Sequence, residues 1–294
     1  DFGFPTASNR VKPTRDGNYV MATGVYKPQL RVYEYSEMSM KFDRHTHAEN
    51  VDFVLLSDDW TKSVHLQTDR YLEFQTQGGI HYRTRIPTFG RSLAYHFPSC
   101  ELLVGGSKHE VYRLNLDIGR FMRPLETAST SGVNAVDINP AHQLFGFGTE
   151  NGLVEFWDPR SKKRIGTTFP TAHHDATGEA IDGFEISALK FHTDGLTCAV
   201  GTSTGHVLLY DLRNARPYLT KDHHYGLPIK SLNWHVSRDH QHRVISADSK
   251  VIRIWDKQHG QQMTSIEPNR GINDVCTLDN TGMLFVANES RDIL

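Results

Sequence analysis

Residues 144–158 read LFGFGTENGLVEFWD. A short apolar run rich in small residues leads into the polar stretch TENG. An alternating run follows and ends in an aromatic and an aspartate. Gly and Asn tolerate the backbone angles of a tight turn, so this is a β-hairpin. The plan returns at 197–211, TCAVGTSTGHVLLYD, and at 243–256, RVISADSKVIRIWD. Another strand and turn precedes each copy: VNAVDINPAHQ, ISALKFHTDGL and IKSLNWHVSRDHQ. Each unit therefore holds at least three antiparallel strands.

Weaker copies run back toward the start, at 101–116 (ELLVGGSKHEVYRLNL), 61–75 (TKSVHLQTDRYLEFQ) and 19–34 (YVMATGVYKPQLRVYE). Asn115 and Gln75 align with the aromatic position of their copies, and Tyr33 precedes Glu34 as Trp157 precedes Asp158. The equivalent positions 33, 75, 115, 157, 210 and 255 are separated by 42, 40, 42, 53 and 45 residues. A period near 40–45 residues, built of strands and closed by Trp-Asp, is the signature of a β-propeller blade. Helix-period stripes are scarce and turn residues dense, which excludes an α-repeat.

The expected fold is all-β: a single seven-bladed WD-type β-propeller with its last blade incomplete. The expected blades cover about 10–45, 50–85, 91–125, 132–168, 185–220, 228–266 and 271–294. The seventh supplies two strands and the start of a third, so residues 1–9 are the candidate for its missing outer strand. Small residues (Gly106, Gly148, Gly201, Ala247, Ala287) recur in the second strands, where neighbouring sheets would approach closely.

Composition narrows the function. The chain has 294 residues, 38% hydrophobic and 22% charged, as expected of a globular protein. No apolar run is long enough for a membrane helix. The net charge of −2 lacks the basic excess of a free-standing nucleic-acid binder, which leaves room only for a local basic patch. Cys100, Cys198 and Cys276 are odd in number and far apart, which favours a reducing compartment. The first residue is not Met, so an excerpt of a longer protein is expected.

The endings Trp157-Asp158, Tyr210-Asp211 and Trp255-Asp256 resemble the WD-repeat family. The Gly-His dipeptide usual in that family is missing, which implies an incomplete Asp-His-Ser/Thr-Trp hydrogen-bond network. Residues 24–74, with the runs YKPQ and SDDWTKSVHL, and residues 145–166 are similar to one nucleolar WD-repeat family of small-subunit ribosome biogenesis. Its members are called nucleolar protein ten in animals and essential nuclear protein two in yeast. The resemblance implies a nuclear, nucleolar, non-catalytic scaffold of the small-subunit processome. Its partners would be protein assembly factors and pre-ribosomal RNA, with no cofactor, metal or small-molecule substrate. A generic WD-repeat adaptor of ubiquitin-ligase or chromatin type is the alternative reading. A metal-dependent propeller hydrolase is the more remote one.

Four candidate constellations stand out. Arg160, Lys162, Lys163 and Arg164 place four cations in five residues beside a third strand. They are either a contact for RNA phosphates or a solvated edge in which lysine discourages aggregation. HYRTR (81–85) and RFMR (120–123) mix bases with an aromatic and are weaker versions of the same idea. His173, His174 and Asp175 lie in the stretch 168–185 that lengthens one repeat, either a partner-gripping loop or a loop without a partner. His45 and His47, near Asp58, Asp59 and His65, could suggest a metal, but a catalytic zinc needs three converging ligands and nothing in the pattern supplies them. No nucleophile elbow, P-loop or HExxH motif is present.

Overall fold

The computed structural model describes residues 2–170, 184–237, 241–278, 281–291 and 293. Their regular structure is almost entirely strand. The backbone folds into two compact units, one of residues 1–90 and 233–294, the other of residues 91–232. Among the described residues no helix is long and apolar enough to cross a membrane.

In the first unit β1 (Ser8–Pro13), β2 (Tyr19–Gly24), β3 (Gln29–Glu34) and β4 (Ser39–His45) pair in chain order as an antiparallel meander. The same order joins β5 (Asn50–Leu55), β6 (Ser63–Gln67), β7 (Tyr71–Thr76) and β8 (Gly79–Arg85). The second unit holds most of β9 (Gly90–His96), β10 (Glu101–Gly106), β11 (Glu110–Asn115) and β12 (Arg120–Glu126). It also holds the sheets β13 (Val133–Ile138) to β14 (Phe145–Thr149), β15 (Val154–Trp157) and β16 (Arg164–Thr168), and β17 (Ile186–Phe191) to β18 (Thr197–Thr202), β19 (His206–Asp211) and β20 (Leu219–Asp222). Back in the first unit are most of β21 (Ser231–Val236), with β22 (His242–Ala247), β23 (Ile252–Asp256) and β24 (Gln262–Ile266). A two-stranded sheet of β25 (Ile272–Thr277) and β26 (Leu284–Asn288) follows.

The sequence reading counts seven blades; among the described residues the structure has six four-stranded ones. The stretch expected to begin a seventh four-stranded sheet forms only the β25–β26 hairpin. Beyond it the backbone finds a different neighbour. The Phe4 N–H donates to the Arg291 carbonyl at 2.5 Å, and the Ile293 N–H to the Phe2 carbonyl at 2.7 Å. Phe2 and Phe4 thus tie the N-terminal segment to Ile293 and Arg291 in antiparallel sense. Tyr33 and Arg31 fasten the same segment from β3, each donating to the Gly3 carbonyl. Phe4, Val11, Val20 and Tyr33 share one apolar cluster with Cys276, Phe285, Ala287 and Ile293.

Residue choice follows the packing. The second strands are largely buried, ELLVGG, FGFGT and TCAVGT completely so, whereas the fourth strands are more exposed, QMTSI along its whole length. Small residues in the second strands let sheets meet. A Cβ built on Gly148 would stand 2.5 Å from Ile186 Cγ2, and one on Gly201 2.8 Å from Ile229 Cγ2. In the third sheet the equivalent residue is Gly105, whose Cβ would meet Val136 Cγ2 at 2.7 Å, rather than Gly106. The shift of one arises because both residues of the pair are glycine.

A repeated asparagine joins neighbouring first strands. Asn9 donates to the Asn50 carbonyl at 2.8 Å, Asn134 to that of Ile186 at 3.1 Å, and Asn273 to that of Ser8 at 2.8 Å. Asn233 reaches the Val275 carbonyl in the same manner, at 2.5 Å. Asn9, Asn134 and Asn273 each fall at a register shift in the strand ladder, where the irregular backbone lets the side chain turn toward the next sheet.

Candidate functional site

The basic turn between β15 and β16 is built around Asp158. Its carboxylate accepts the N–H groups of Arg160 at 2.9 Å and Ser161 at 3.3 Å, which holds its pKa below the ordinary value. The Lys162 N–H closes onto the Asp158 carbonyl at 3.0 Å. Asp256 caps the turn before β24 likewise, accepting the Gln258 and His259 N–H groups. Asn115 does so before β12, accepting those of Asp117 and Ile118. Asn115 therefore fills the aspartate position of its repeat, and Leu114 the aromatic position expected of Asn115. Gln75 does take the aromatic place: its amide donates to buried Glu73 at 2.7 Å, as the Trp157 indole donates to buried Glu155 at 3.0 Å.

The matching turns use glycine for the left-handed residue, Gly119 at φ 71° and Gly260 at φ 65°. Here that residue is Lys162, at φ 54°. Left-handed backbone costs a non-glycine residue about 1–2 kcal/mol. An ion pair offsets it. Lys162 Nζ lies 2.9 Å from Glu101 Oε2 and 5.4 Å from the centre of the Phe145 ring. Glu101 is also held by Arg113 through two bonds, at 3.0 and 2.5 Å. Burial alone would raise the Glu101 pKa, but Arg113 and Lys162 outweigh it and bring it below the usual carboxylate value. Arg113 passes a further bond to the Arg123 carbonyl at 3.2 Å.

Arg160, Lys162, Lys163 and Arg164 thus play different parts. Lys162 is anchored inward. Arg164 approaches the buried Glu155 carboxylate at 3.9 Å with its side chain 42% exposed. Arg160 and Lys163 are exposed and make no ion pair among the described residues. Glu101 and Arg113, which sequence reasoning missed, fix the turn. Their signal was a carboxylate opening the apolar run ELLVGG and an arginine inside YRL, both too polar for buried strands unless paired.

The other candidates separate as clearly. RFMR lies in β12 with all four residues exposed, and HYRTR lies in β8. His173, His174 and Asp175 fall outside the described residues. Tyr210 is buried, Asp211 accepts the Arg213 N–H at 3.0 Å, and the Trp255 indole donates to Ser246 Oγ at 3.1 Å. His45 and His47 are exposed. Asp59 caps its own loop by accepting from Thr61. His65 is fully buried, stacked on Phe53 at 5.4 Å and 2.9 Å from Ser63 Oγ. Among the described residues no group of three His, Cys, Asp or Glu side chains is placed to hold a metal.

Residues 1–294 match the family model described as "Nucleolar protein 10-like, N-terminal domain". The chain belongs to this family. The family domain is a β-propeller, which the meandering four-stranded sheets express. The chain is 54% identical, over 98% of its length, to "Ribosome biogenesis protein enp2 homolog" of Schizosaccharomyces pombe. It is 49% identical over 99% of its length to "Ribosome biogenesis protein ENP2" of Saccharomyces cerevisiae, and 48% over 99% to "Nucleolar protein 10" of Homo sapiens. It spans 47%, 40% and 42% of these relatives respectively, less than half of each. Two of these relatives are named for ribosome biogenesis and the third for the nucleolus.

Proposed function

We propose that this chain acts in ribosome biogenesis as a non-catalytic scaffold of the small-subunit processome, supporting pre-ribosomal RNA processing and small-subunit assembly. The observation that carries the reading is 54% identity, over 98% of the chain, to a protein named for ribosome biogenesis. The architecture suits a scaffold. Buried second strands make each sheet stiff, while exposed fourth strands and turns offer many modest contacts. The distinctive polar groups serve structure: His65 in the core, Asp59 in its loop, Glu101 and Arg113 under a turn.

Within this reading the turn of residues 160–164 touches RNA. Arg160 and Lys163 make the phosphate contacts, with Arg164 beside them, while Lys162 orients the turn. Protein assembly factors dock elsewhere on the exposed edges. The test replaces the endogenous protein of a cell with a full-length form carrying this domain, either unaltered or with Arg160→Gln and Lys163→Gln together, and follows ribosomal RNA maturation by pulse labelling. The expected result is rescue by the unaltered domain and a selective delay in small-subunit RNA with the variant. Equal delay in both subunits' RNA would overturn the small-subunit assignment.

A further inference from the structure

The basic turn faces a wall that carries charge of the same sign. In the third sheet Glu101 pairs across from Asn115, and Asn115 across from Arg120. Side chains alternate along a strand, so Glu101, Arg113, Asn115, Arg120 and Met122 share one face. That face receives the turn of the fourth sheet, because Lys162 reaches Glu101 there. Arg120 lies two strands from Glu101, about 10 Å away at the usual interstrand spacing. From the other side Arg164 pairs across from Trp157 and approaches Glu155, on the face of the fourth sheet whose Phe145, Phe147 and Trp157 pack with Leu103 and Val111.

We propose that the cleft between the third and fourth sheets binds the backbone of single-stranded RNA. Arg120 forms one wall, Arg164 the other, and Arg160 and Lys163 the lip. This rests on the RNA-contact reading above and extends it from one turn to a two-walled site. Charge selects the occupant. The two carboxylates at the base are already engaged, Glu101 with Arg113 and Lys162, and Glu155 with Trp157 and the Ala128 N–H at 2.7 Å. Asp158 is spent in its turn. The cations at the mouth (Arg120, Arg160, Lys163 and Arg164) are exposed. Facing sheets pack about 10 Å apart with side chains such as Leu103 and Trp157 filling the space, so the cleft is the open rim beyond that packing, where Arg120 of β12 and Arg164 of β16 are exposed. Met122, 38% exposed on the Arg120 face, offers apolar contact to a base. The bonds from Lys162 through Glu101 and Arg113 to the Arg123 carbonyl hold the two walls in fixed register.

The test is fluorescence anisotropy of a labelled oligouridine RNA with the 294-residue chain across a salt series, using Arg120→Gln, Arg160→Gln and Lys163→Gln. Lys108→Gln, exposed at the opposite end of the third sheet, is the control. Circular dichroism confirms that each variant is folded. Each phosphate contact removed should reduce the slope of log K against log salt by about 0.7, with affinity falling several-fold at low salt. The three variants are expected to do this and the control is not. Loss with Arg160→Gln and Lys163→Gln, but control behaviour from Arg120→Gln, would overturn the cleft and keep the RNA contact of the turn. Failure of the unaltered chain to bind would overturn both.

Discussion

Replacing Glu101 with Gln tests the network beneath the basic turn. The side chains of Glu101 and Arg113 are only 6% and 8% exposed, and their closest contact is 2.5 Å. Glutamine keeps the shape and removes the charge, leaving the Arg113 guanidinium buried without a counter-ion. Breaking a buried pair from one side costs about 3–5 kcal/mol. Lys162 is 26% exposed and can turn to water, so Lys162→Met should cost only about 1 kcal/mol. For a chain of this size each kcal/mol moves the thermal midpoint by about 2 °C. Differential scanning calorimetry should therefore show Glu101→Gln lower by roughly 6–10 °C and Lys162→Met by about 2 °C. The double variant Glu101→Met, Arg113→Met should recover most of the loss, because an apolar pair of similar volume replaces a buried ion pair at little cost. A Glu101→Gln shift no larger than that of Lys162→Met, or a double variant less stable than the single one, would refute the reasoning.

Three further outcomes are expected. Gly148→Ala should cost about 1–3 kcal/mol by overpacking against Ile186, whereas Gly166→Ala, with nothing within 4 Å, should be near neutral; urea denaturation of the two separates them. Asn273→Ala removes the donor to the Ser8 carbonyl, so hydrogen exchange should quicken in β1 by the equivalent of about 1 kcal/mol while β13–β16 keep their protection. Burial, with Lys12 nearby, lowers the His65 pKa to about 3, against about 6.5 in an unfolded chain. The unfolded state therefore takes up the proton first as pH falls. The contribution of neutral His65 is complete above about pH 6.5 and declines toward pH 3. Thermal midpoints of the native chain should drop more steeply over that interval than those of His65→Leu, and parallel curves would contradict the assignment.

The repeat was legible because each hairpin is local: an apolar run, a turn and an alternating run are read within fifteen residues. The blade count was not, since a sequence shows where hairpins begin but not which strands complete a sheet. Residues 272–288 announce a blade and deliver a hairpin. Position within a repeat failed where two neighbours are alike, as with Gly105 and Gly106, or where the pattern residue is replaced, as with Leu114 before Asn115. The asparagine bridges stood in plain view in SNRV, VNAV and INDV, yet they span 41–265 residues and follow no short-range period. Of the basic turn, the charge was readable. The division of labour was not, because Glu101 and Arg113 belong to a different sheet from Lys162.

The cluster that unites Phe4, Val11 and Tyr33 with Cys276, Phe285 and Ile293 has a consequence during synthesis. The nascent chain emerges with its first sheet missing a neighbour that the ribosome has not yet made. At about 5–20 residues per second, Val11 waits roughly ten seconds to a minute before Cys276 is available to cover it. Through that interval one apolar flank stays open to water and to other unfinished chains. The first-made strands of this fold are thus completed only by its last-made ones.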